Sequence, residues 1–149
     1  MKVYESPYLW ISFLPEHALT EITYLPTTCQ MQEEEYKDDL LYFLRVVEQY
    51  YPTRQIVDKR NFFFPLSPTL QTWANEQIFC TAYTLGLETM AVVTHQSPAK
   101  DLAPEALIPS QPEDRPLHQR FFSCKKAAQD WILSYQPQPR YLFGEVVRP

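Results

Sequence analysis

At 149 residues, 45% of them hydrophobic and 15% aromatic, the chain is long enough for one domain with an aromatic-rich core and too short for two comfortable ones. That composition excludes a disordered chain. A net charge of -5 and a pI near 5.2 argue against attraction to phosphate backbones, so nucleic acid is not an expected partner.

Met1 to Pro7 lack the basic and apolar regions of a secretory signal, and no apolar run approaches the roughly 18 residues of a membrane span. A soluble cytoplasmic protein is expected. Cys29, Cys80 and Cys124 are odd in number and far apart, which reads as buried small hydrophobes in a reducing compartment rather than a disulfide framework.

Tyr8 to Phe13 and Ala18 to Tyr24 are rich in β-branched and aromatic residues and flank Pro15, Glu16 and His17, so a hairpin is expected. Its register stays open, because Leu19, Glu21 and Thr23 alternate raggedly with Thr20, Ile22 and Tyr24. From Gln32 to Tyr51 the period becomes helical, with Tyr36, Leu40, Phe43, Leu44, Val47 and Tyr51 on one face. Glu33, Glu34 and Glu35 suit the positive end of that helix and read as a solvated start, and Pro52 stops it.

The chain is organised around the stretch from Gln55 to Trp73. A short apolar strand ends in Asp58, meets the basic pair Lys59 and Arg60, passes Phe62, Phe63 and Phe64, and enters a helix. Ser67 fits its N-cap and Pro68 its first position. Leu70, Trp73, Ala74, Gln77 and Ile78 continue the stripe, and Gly86 closes it as a left-handed residue. Met90 to Thr94 reads as an interior strand. His95 to Pro116, rich in proline, reads as an irregular connection with room for a short helix near Asp101 to Leu107. Arg120 to Phe122 reads as an edge strand, Ser123 as the next N-cap, and the following helix runs through Trp131 to Tyr135. Tyr141 to Val147 is apolar enough to dock as a further strand or tail.

Catalytic signatures are mostly absent, although spacing does not bear on a triad assembled from distant residues. With Gly86 and Gly144 the only glycines, neither a phosphate-binding P-loop nor a dinucleotide-binding turn can be written. His17, His95 and His118 lack metal-ligand spacing. No cofactor, no metal and no enzymatic activity are expected. Asp58 reads first as an acceptor for the following loop, and next as a ligand or base. Lys59 and Arg60 read first as a solvated pair, and next as an anion site beside the helix start. Three aromatics in a row cannot all enter a one-sided core, so a Phe is exposed or the loop is sandwiched.

The order of these pieces resembles the STAS-like (SpoIIAA-like) proteins of unassigned function from about Tyr8 to Ser134, most specifically between Ile56 and Val93. The resemblance implies a single α/β domain over residues 1–149, with a core at about 8–134 and a C-terminal extension at 135–149. It implies a mixed sheet of four or five strands with helices mainly on one face. In the anti-sigma-factor antagonists of that fold a Ser at the comparable helix start is phosphorylated, and Ser67 stands there. Their Asp-Ser-Ser-Gly-type loop is replaced here by Asp58-Lys59-Arg60-Asn61-Phe62. The function expected is a non-catalytic cytoplasmic interaction or regulatory module, binding a protein partner or a second copy as a homodimer. Its surface comprises Asp58, Lys59, Arg60, Phe62, Phe63, Phe64, Ser67 and Trp73. The alternative, from a likeness to CRAL-TRIO lipid-transfer domains, is a carrier or sensor of a small apolar ligand.

Overall fold

The structure is a computed structural model that describes residues 1–95 and 118–135, together with the backbone of 140–142 and 145–147. Among the described residues the central sheet has six strands: β1 (Lys2–Glu5), β2 (Leu9–Leu14), β3 (Leu19–Tyr24), β4 (Arg54–Asp58), β5 (Thr89–Val93) and β6 (His118–Phe122). They lie side by side in chain order; β1 to β3 are antiparallel, and β3 to β6 are parallel. The expected four or five strands become six because Lys2–Glu5, with a charge at each end and no alternation, adds an edge strand that composition does not announce. The anticipated helix near residues 101–107 lies outside the described residues. Within the tail, β7 (Arg140–Leu142) pairs antiparallel with β8 (Glu145–Val147) in a sheet of their own.

The hairpin forms with Leu9 opposite Tyr24 and Ile11 opposite Ile22. The raggedness of β3 has a physical cause: the sheet is covered on both faces. Ile22 and Tyr24 face one core, and Leu19 faces the other. The first face carries α1 (Glu33–Tyr50) and a helical stretch made of α2 (Pro68–Trp73), a π-helical turn (Ala74–Phe79) and α3 (Cys80–Thr84). Right-handed crossovers between successive neighbouring strands put both connections on that side. The second face is covered by α4 (Lys125–Ser134), whose Ala128 and Ile132 pack on Ile56, Ala91 and Val93. All five residues of β5 are buried, as an interior strand requires.

Helix ends follow local chemistry. The Gln32 N–H donates to Glu35 Oε1 at 2.8 Å, one half of a capping box that starts α1. Tyr51 then leaves the helix at φ 50° just before Pro52, and it is exposed instead of joining the apolar face. Gly86, at φ 127°, closes α3: its N–H bonds the Tyr83 carbonyl at 3.1 Å, and that of Leu87 reaches Ala82 at 3.0 Å. At α4 the N-cap is Cys124 rather than Ser123. Cys29 and Cys124 are exposed and Cys80 half-buried, so the expectation of buried cysteines is corrected; none forms a disulfide. Among the described residues no helix is long and apolar enough to cross a membrane.

Candidate functional site

β4 delivers the site. Its side chains alternate between the two faces, so Val57 enters the core under α1 while Ile56 faces α4. At its end and just beyond it the same alternation parts three consecutive charged residues, Asp58, Lys59 and Arg60. Asp58, buried, accepts from Arg60 three times: from the backbone N–H at 3.2 Å and Nε at 3.0 Å on Oδ1, and from Nη2 at 2.8 Å on Oδ2. Burial works to raise the Asp58 pKa, but the Arg60 hydrogen bonds, and the charges of Arg60 and Lys125, hold it below the usual carboxylate value. Arg60 is therefore tied to Asp58 while its side chain stays 37% exposed.

Lys59 goes the other way. Its N–H extends the ladder to the Val93 carbonyl at 2.8 Å, and its side chain enters the α1 face with Nζ 5.2 Å from the Phe62 ring centre. Burial pushes its pKa down. Among the described residues it forms no ion pair. The expected solvated basic pair is thus two residues with separate environments.

Lys59 lines a cavity of about 60 Å³ between the sheet and the π-helical turn. Apolar and aromatic walls come from β3 to β6 and α1, including Tyr24, Tyr36, Val92 and Phe121. Asn75 and Phe79 reach it from the π turn, a wide-turn irregularity that recurs at functional sites. Gln71 lines it as well and donates from Nε2 to Asn75 Oδ1 at 3.1 Å. From the β6 side comes Gln119, whose Oε1 is buried without a hydrogen-bond partner. Burial pushes the hydroxyls of Tyr24 and Tyr36 well above the ordinary tyrosine value, so both are neutral at physiological pH.

The three aromatics divide. Phe62 meets Tyr24 edge-on at 4.6 Å, and Phe64 stacks on Tyr36 at 5.5 Å, both closing the apolar layer. Phe63 between them is 54% exposed. Buried Thr28 pins the loop, its hydroxyl donating to the Asn61 carbonyl at 2.9 Å and accepting the Phe63 N–H at 2.8 Å. Ser67, exposed, caps α2 by accepting the Leu70 N–H at 3.1 Å. Trp73 is half-buried, with Lys37 Nζ 5.4 Å above its ring. Of the eight residues expected to form one surface, only Lys59 lines the cavity.

Sequence reasoning did not single out Thr28, Gln71, Asn75 or Gln119 as site residues; the i, i+4 spacing of Gln71 and Asn75 was the one available signal. A second groove, between β1 and α1, also went unseen. There buried Asp39 accepts from Tyr4 at 2.7 Å and Ser6 at 2.9 Å, and Glu35 accepts from the Tyr8 hydroxyl at 2.6 Å. These bonds tie the edge strand to the helix. Among the described residues no group of three or more His, Cys, Asp or Glu is placed to hold a metal ion. No protein-family model matches the chain, and no curated protein or solved structure matches it.

Proposed function

We propose that this chain is a non-catalytic, cytoplasmic binding module of STAS-like type that holds a small molecule in the cavity beneath the π-helical turn, as a carrier or sensor. The observation that carries this reading is Lys59. An ammonium lining a cavity of largely apolar and aromatic walls, with the Phe62 ring but no carboxylate partner among the described residues, carries a desolvation cost that an anionic ligand offsets. Native mass spectrometry of protein purified from cells tests it. A bound mass lost on denaturation is expected; a bare chain whose melting temperature no small acid, alcohol or amide changes overturns it.

A second reading, a protein-interaction module that also self-associates as a homodimer, is favoured by the exposure of Phe63 on a loop that Thr28 holds rigid. Sedimentation of the native chain and of Phe63→Ser tests it. A concentration-dependent dimer lost in the variant supports this reading, and an unchanged monomer in both removes self-association.

A further inference from the structure

We infer that the ligand of this cavity is a short linear carboxylate with a hydrogen-bond donor at its far end, Lys59 taking the carboxylate and Gln119 the donor. The inference rests on the binding-module reading and adds the chemical class of what is bound.

Two groups in the cavity have opposite demands. The Lys59 ammonium needs an acceptor, and a negative one answers it best once water is excluded. The buried Gln119 Oε1, a carbonyl oxygen without a partner, needs a donor. A simple acid leaves the second demand open and a diol meets the first only with a neutral oxygen, whereas an amine sets a second positive charge beside Lys59. A molecule with one anionic end and one donating end meets both.

Strand register sets the arrangement. Val57 and Phe121 both register with Val92, and all three line the cavity. Lys59 follows Val57 by two residues and Gln119 precedes Phe121 by two, so the groups stand toward opposite ends, one near the carboxyl ends of the strands and one near the amino ends. An acid with its hydroxyl beside the carboxylate cannot serve both, and one with the hydroxyl at the chain end can. Size limits the chain: at roughly 10–15 Å³ per water-sized group, about 60 Å³ has room for roughly four to six, which favours a short acid of a few carbons over a lipid. The methylenes lie against Val57, Met90 and Val92.

Calorimetry of the full chain with 4-hydroxybutyrate, butyrate and 1,4-butanediol separates the demands, and methyl NMR of Met90 and Val92 reports whether binding is in the cavity. 4-Hydroxybutyrate is expected to bind at least tenfold tighter than either other probe and to shift both methyl signals. Lys59→Met should abolish its advantage over the diol, Gln119→Leu its advantage over butyrate, and Lys126→Met, on the exposed side of α4, should change neither. Melting curves show whether each variant is folded. Equal binding of all three probes with shifted methyl signals overturns the carboxylate inference and leaves the binding-module reading standing. Absence of binding by all three overturns the inference, and a bound mass in the native spectrum then separates its failure from that of the module itself.

Discussion

Asp58 and Arg60, two residues apart, close a fork in which Nε and Nη2 of the arginine meet opposite oxygens of one buried carboxylate at 3.0 and 2.8 Å. Arg60→Ala leaves that carboxylate to its burial, which raises its pKa. An Asp held below its ordinary value stabilises the fold above the unfolded pKa, and that contribution is lost as pH falls through the folded value. The variant is therefore expected to be about 1–3 kcal/mol less stable at pH 7, with the gap to the native chain narrowing below about pH 4. Urea unfolding of both proteins from pH 7 to pH 3 measures this; a gap that persists undiminished at pH 3 assigns the loss to packing.

Lys59 makes the opposite prediction. Its pKa is depressed from 10.5 in the fold, so between its folded value and about 10.5 the unfolded chain binds the extra proton. Stability contributed through this group therefore rises with pH across that window. Lys59→Met, which fits the apolar wall, is expected to gain about 1 kcal/mol at pH 7 and to lose the alkaline rise. Melting temperatures of both proteins from pH 7 to pH 10 check it, and a destabilised variant shows that the ammonium contributes to the fold.

Phe62, Phe63 and Phe64 should respond unequally to serine. Phe62→Ser, losing the edge-on contact with Tyr24 and the cation contact with Lys59, is expected to cost about 3 kcal/mol, and Phe64→Ser about 2. Phe63→Ser should stay within about 0.5 kcal/mol of the native chain. Chemical denaturation ranks the three, and equal losses contradict this division.

At the start of α2, Ser67→Ala removes the acceptor for the Leu70 N–H and is expected to cost roughly 1 kcal/mol, while Ser67→Asp keeps a cap and adds a favourable charge. Thermal unfolding of the pair decides between a structural cap and a residue whose charge is silent.

The sequence revealed elements more readily than surroundings. The period of α1, the Ser67–Pro68 start and the Gly86 stop were legible because each is fixed within one or two turns of chain. For the three phenylalanines, alternation bars all of them from a one-sided core, but which one is exposed was not legible. The register of β3 was not legible either, because a strand covered on both faces loses clean polar and apolar alternation. Nor was the parting of Lys59 from Arg60, which depends on the pleat of β4 and on which helix covers each face. Gln119 carried no signal: a glutamine in an edge strand becomes a cavity residue only when β6 lies beside β5, far from Lys59 in the chain. Cys124 looked apolar by type and is exposed because the start of α4 stands clear of the core.

Each strand of the central sheet bonds to the one made just before it, and none is inserted between two that have already paired. During synthesis each strand that joins the central sheet after the β2–β3 hairpin therefore meets a finished template edge, so folding can proceed in the same direction as translation. Such a topology needs fewer distant loop closures than a sheet whose neighbours are far apart in sequence, and it leaves one of the two sheet edges at the growing end of the chain.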